Sequence, residues 1–243
     1  MLYILKKELT SFFSSLTGYI AVGVFLLLCS WFLWLSPNDF NVLSAGHANI
    51  NGLFYIAPWA FLFLVPAITM RSFAEEKKTG TMEMLLTRPI TDLRLVLGKF
   101  LAAVAVIALA LLPTLLYFFT VSVLGNPVGN VDSGATWGAF IGLLLLASCY
   151  AAVGIFASAL TDSQIVAFLI AAALCFFLYI GFDGLAALPF LKNINSLIAN
   201  IGINEHYKSI SRGVVELRDV VYFAGVMAVF IAAARLKLRA RTW

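Results

Sequence analysis

Apolar residues fall in six long blocks along the chain, separated by shorter polar segments. The blocks run about 17–35, 53–70, 98–124, 137–160, 165–183 and 219–234. A helix needs ~20 apolar residues to cross bilayer hydrocarbon at a rise of ~1.5 Å per residue, and each block reaches or approaches that length. Lipid-facing barrel strands would alternate apolar and polar positions. Leu143-Leu144-Leu145-Leu146 and the run from Ala171 to Leu178 do not alternate. The pattern predicts an all-α polytopic membrane protein, with a six-span transmembrane domain over 17–243. Pro58, Pro66 and Pro113 fall inside predicted spans, where neighbouring helices can satisfy the freed carbonyls.

Ahead of the first block, Leu2, Leu5, Leu9, Phe12, Phe13 and Leu16 recur at helical spacing around Lys6, Lys7 and Glu8. This predicts an N-terminal amphipathic helix over 1–16, lying in the membrane interface. No small-residue cleavage site follows the first block, which therefore reads as a retained span.

Composition supports the same class. Of 243 residues, 62% are hydrophobic and only 12% charged, where soluble domains carry about 25%. Mean hydropathy is +0.98. The net charge of +4 does not indicate nucleic acid, because the basic residues sit in short segments between apolar blocks. With both termini inside, twelve Lys and Arg lie on the inner side and four (Lys192, Lys208, Arg212, Arg218) on the outer. That bias predicts cytoplasmic N- and C-termini in the inner membrane.

Chemistry is sparse. No charge is expected deep in a span, Asp183 and Arg218 being the nearest, which argues against a carboxylate proton relay. Cys29, Cys149 and Cys175 lie in apolar blocks without metal spacing. Of the two histidines, His47 and His206, the latter beside Glu205 could be half of a metal or acid–base pair, but reads as an exposed loop histidine, since a metal site wants three or four ligands. There is no phosphate-binding loop, position 93 before Gly98-Lys99 being Leu93 rather than glycine. Catalytic and metal sites are therefore expected to be none, and no cofactor is assigned to this chain. Small residues from Ala147 to Ala159 allow close helix approach.

The segment 71–97 is the most informative. Glu75, Glu76, Lys77 and Lys78 mix both signs, Gly80 allows a left-handed turn, and Thr81 to Thr87 reads as a short amphipathic helix ended by Pro89. Residues 184–217 form a mixed segment containing the amphipathic stretches 193–203 and 206–211. Physics alone leaves two readings of 71–97: a solvated loop with topological charge, or a lever between two spans.

The run Glu75, Glu76, Lys77, Gly80, Thr81, Glu83, Leu85, Leu86, Thr87, Pro89, then Val96, Gly98 and Lys99, resembles the signature of ABC-2 type transporter permeases. Gly154, Ser158, Thr161, Gln164 and Val166 are similar to a second family patch. Within the family the chain is most similar to the gliding-motility-associated permease in overall texture, including Glu205-His206-Tyr207 and 213–223, and a copper-processing permease branch looks similar too. The resemblance implies an ABC-2 (type V) permease-like bundle that exports a substrate and forms a homodimer with a second permease copy. It implies a cytoplasmic ABC ATPase partner carrying ATP and Mg, an accessory outer-facing membrane protein, and surrounding membrane lipid. Glu75, Glu76, Lys77, Gly80, Thr81, Glu83, Leu85, Leu86 and Pro89 would couple to that ATPase, and 184–217 would form outer-facing short helices. The alternatives are a stand-alone channel or secondary transporter, or a membrane scaffold without transport.

Overall fold

A computed structural model describes residues 2–44, 46, 48–82, 91–189 and 195–240. Helix α1 spans Leu2–Phe13, α2 Leu16–Ser30, α3 Asn51–Thr69 and α4 Arg71–Lys78. Helix α5 spans Asp92–Leu111, α6 Leu115–Leu124, α7 Ser133–Leu160 and α8 Gln164–Phe176. The short α9 (Phe182–Ala186), α10 (Asn195–Ala199) and α11 (Ile203–Ser211) precede α12 (Leu217–Arg239). There is no strand among the described residues. Among the described residues six helical stretches are long and apolar enough to cross a membrane: Leu16–Leu35, Asn51–Lys78, Asp92–Leu124, Ser133–Leu160, Gln164–Ala186 and Leu217–Arg239. This is the all-α, six-span bundle that the hydropathy pattern predicts.

Local chemistry sets several boundaries. Ser15 ends the α1–α2 turn, its hydroxyl accepting the Gly18 N–H at 3.3 Å. Asp132 caps α7 in the same way, accepting from Ala135 N at 2.9 Å. Pro113 supplies no N–H and interrupts the third span with a 3₁₀ turn, Leu112–Thr114. The first and fifth spans continue past α2 and α8 through π-helical stretches, Trp31–Leu35 and Phe177–Gly181.

Helix α7 is the centre of the bundle. Its apolar stretch is 78% buried, against 22% for Leu16–Leu35, 22% for Gln164–Ala186 and 17% for Leu217–Arg239. Those three spans therefore leave wide apolar faces uncovered, as a bilayer requires. Small residues make the centre possible. A Cβ on Gly154 would overlap the Thr69 hydroxyl of α3, and one on Gly142 would overlap Ile210 of α11.

The bundle has two different ends. One carries α1, α4, the turn between α7 and α8, and the C-terminal turn of α12. The other carries the segments 36–44, 48–50, 125–132, 182–189 and 195–216, with α11 seated across the early turns of α3 and α7.

Helix α1 meets the bundle through Ile4, which is buried, and through the half-buried Leu5, Glu8, Leu9 and Phe12. Phe13 and Leu16, counted on its apolar face from spacing, are exposed. The packing face is rotated toward Ile4 and Glu8 because Gly98 on α5 opens a seat there, with Ile4 Cγ2 3.1 Å from where a Cβ would stand.

Candidate functional site

At the end bearing α1 and α4, four charged side chains from three helices meet. The Lys99 ammonium on α5 lies 2.7 Å from Glu8 Oε1 on α1 and 3.0 Å from Glu76 Oε1 on α4. It also donates to the Ser72 carbonyl at 2.6 Å. Three N–H groups thus face three acceptors, and the Phe73 ring lies 5.0 Å away. Lys7 on α1 reaches the same Glu76 oxygen at 3.1 Å. Two cations and two carboxylates cancel, which is what allows Lys99 to be 1% exposed.

Sequence reasoning placed no charge deep in a span. Lys99 does not lie deep in one: it stands at the α1 and α4 end of the third span, early in Asp92–Leu111, where it is nonetheless buried and held by partners on two other helices. The sequence does carry a signal for it. Glu8 sits between Ile4 and Phe12 at helical spacing, and Lys99 between Leu95 and Ala103, so both charges lie on packing faces.

Helix α4 continues the second span almost without interruption, the two forming the stretch Asn51–Lys78. At the junction, Met70 donates to the Pro66 carbonyl at 2.8 Å. The Phe73 and Ala74 N–H groups instead donate to the Ser158 hydroxyl on α7, at 2.8 and 3.1 Å. That hydroxyl donates onward to the Met70 carbonyl at 3.2 Å. Ser158 is in effect an N-cap supplied by another helix. Lys77 donates to the Ala159 carbonyl at 2.7 Å and lies 3.7 Å from Asp162, a favourable place for a cation at the end of α7.

The residues expected to couple are placed as follows. Glu76 is buried, Lys77 half-buried and Glu75 exposed. Gly80 adopts φ +70° just past the end of α4, a conformation open to glycine at low cost. Thr81 is exposed, its hydroxyl 2.9 Å from that of Thr79. Glu83, Leu85, Leu86 and Pro89 lie outside the described residues. Ser158 of the second patch joins the first directly, while Gly154 packs on Thr69, and Thr161 accepts the Ser163 N–H at 3.2 Å. Gln164 opens α8 and Val166 is exposed on it. Lys7, Glu8, Ser72 and Phe73 are partners that sequence reasoning missed.

A second buried cluster lies at the opposite end. His206 Nδ1 is 2.7 Å from Asp219 Oδ1, Nε2 is 2.9 Å from the Asn200 carbonyl, and the ring stacks on Tyr222 at 3.9 Å. His206 is 6% exposed and not the exposed loop histidine expected. Ile203, His206, Tyr207 and Ile210 recur at i, i+3, i+4 and i+7, so packing α11 on the bundle buries the histidine with them. Tyr207 donates to the Phe54 carbonyl at 2.6 Å, and burial pushes its phenol well above the usual value. The Lys208 ammonium is held above its ordinary value by its hydrogen bond to Glu205, burial opposing and Asp183 assisting. Among the described residues, no group of three or more His, Cys, Asp and Glu is arranged to hold a metal ion.

The arrangement is a set of ion pairs and hydrogen bonds that joins helices. What it can do is transmit motion: α4 is fastened to α1, α5 and α7, so displacing it strains all three. The family described as ABC-2 family transporter protein matches residues 3–234 of the chain. No curated protein matches it.

Proposed function

The chain belongs to the ABC-2 family of transporter proteins, and from that premise we propose that it is the permease of an ATP-driven exporter whose ATPase is a separate subunit. As a member of that family it is a multi-pass membrane component of transport, not itself a catalyst. In our reading both termini are cytoplasmic in the inner membrane, two copies form the pore, and the ATPase presses on α4 from the cytoplasm. ATP and Mg act on that subunit, and an accessory membrane protein meets the segment 182–216. The observation that carries the reading is the fastening of α4. A rigid helix extends the second span, shares Glu76 with α1 and α5, and leans its N–H groups on Ser158.

The positive-inside bias supports the orientation, because the α4 end also bears Lys7, Arg94 and Arg239. A gliding-motility role is the finer proposal, motivated by Glu205-His206-Tyr207 and 213–223; deleting the gene and scoring surface spreading tests it. The class itself is tested by purifying the tagged chain from its native membrane. An ATPase subunit is expected to copurify, with hydrolysis reduced by about tenfold when Glu76 and Lys99 are both neutralised, the three carboxylate–ammonium contacts that involve them being lost together. Solute flux through the chain alone, driven by an ion gradient without ATP, would refute the proposal.

A further inference from the structure

A cavity of about 280 Å³ lies between α1, the α1–α2 turn, the end of α3, α4 and α5. Its lining changes character with depth. Near α4 it is charged, whereas Phe12, Ile68, Ala103 and Val106 form an apolar wall. Val106 stands seven residues beyond Lys99 on α5, about 10 Å further into the span at helical rise. A purely polar ligand would leave that wall unused, and a purely apolar one would bury the charges without partners.

Lys7, Glu8, Glu76 and Lys99 on the lining neutralise one another. Arg71 and Glu75 do not share in this. Both line the cavity, and neither has an ion pair among the described residues. Arg71 Nε is buried without a hydrogen-bond partner. The two lie one turn apart on α4, so one free cation and one free carboxylate stand about 5–6 Å apart at their Cβ atoms.

We propose that this cavity binds the headgroup of a zwitterionic phospholipid bearing a primary ammonium, with phosphate at Arg71, ammonium at Glu75 and the start of an acyl chain against Phe12 and Val106. A two-carbon ethanolamine link gives phosphate and ammonium on one short headgroup, as one turn of α4 gives Arg71 and Glu75 on one face. The guanidinium fork suits a phosphate. The carboxylate of Glu75 accepts from an ammonium N–H, which a quaternary choline lacks. The apolar wall distinguishes a lipid from a soluble phosphoethanolamine, which has nothing to place there. The bound headgroup ties α1 to α4, so the lipid completes the same junction that the ion cluster builds.

The test uses the purified full chain in nanodiscs of equal phosphatidylethanolamine and phosphatidylcholine, followed by delipidation and mass spectrometry of the lipid retained. The expected result is about tenfold enrichment of the ethanolamine lipid per chain, the scale of one charge-assisted hydrogen bond. Arg71→Gln and Glu75→Gln each remove the enrichment, while Lys78→Gln, exposed on the same helix outside the cavity, keeps it. Soluble glycerophosphoethanolamine at matched concentration leaves the lipid in place. Equal retention of the two lipids by the unaltered chain overturns the proposal without reference to any variant. So does a preference for phosphatidylglycerol in a second nanodisc made of equal phosphatidylethanolamine and phosphatidylglycerol, which would mean a basic site only. Displacement by the soluble diester would assign the cavity to a soluble zwitterion and overturn the lipid.

Discussion

Lys99 shows how a single residue fixes the meeting of three helices. Its ammonium has no water to turn to, so its three acceptors must come from the protein. Replacing one member of such a group strands the others. Lys99→Met is expected to destabilise the chain by about 3–5 kcal/mol, read as a lower midpoint of denaturant unfolding in mixed micelles. Glu8→Gln is expected to cost less, because Glu8 is 21% exposed and can recover water. Equal losses for the two would mean that burial of Lys99 is not what makes the cluster costly to break. None of these partnerships is local in sequence: Glu8 lies 91 positions from Lys99, and Ser158 lies 85 from Phe73. A single sequence marks each as a charge or hydroxyl on a packing face, yet does not say which face meets which.

At the scale of elements, the six spans are legible because each needs only a long apolar block, and hydrocarbon imposes helix on any backbone that crosses it. Helix α4 is different. Its residues, Arg71 to Lys78, read as loop by charge, and the structure makes them the last two turns of the second span's helix. Charge density reports where the hydrocarbon ends, not where the helix ends. The cap explains the continuity, since Ser158 satisfies the two N–H groups that the junction leaves unpaired along the helix. Ser158→Ala is expected to cost about 1–3 kcal/mol by orphaning two buried donors. Hydrogen exchange would quicken at Phe73 and Ala74 ahead of the rest of the second span. Unchanged exchange there would show that α4 does not depend on α7. The residues 184–217 resist reading for a related reason. His206 is buried only because α11 lies flat across α3 and α7, and amphipathic spacing alone does not say whether its apolar face meets protein or lipid.

On the scale of the whole molecule, the two ends differ in build. The far end is closed by Tyr207 on the Phe54 carbonyl and by the His206–Asp219 pair, which tie the short helices to the spans. The end with α1 and α4 is tied by the Lys7, Glu8, Glu76 and Lys99 charges together with an apolar cluster that includes Ile4, Phe73, Leu95, Val96 and Ile155. A partner subunit that moves α4 would therefore act on a helix joined to α1, α5 and α7 by both charge and packing. Cys29, Cys149 and Cys175 are all buried, so a cysteine introduced at a surface position is the one accessible thiol among the described residues. The most direct test is crosslinking from Lys78→Cys at the tip of α4 and from Asn130→Cys at the far end, in native membranes containing the ATPase subunit. The account predicts a permease–ATPase adduct from position 78 whose yield changes when ATP is added, and none from position 130. An adduct from position 130, or none from position 78 in a complex that still copurifies, would contradict it.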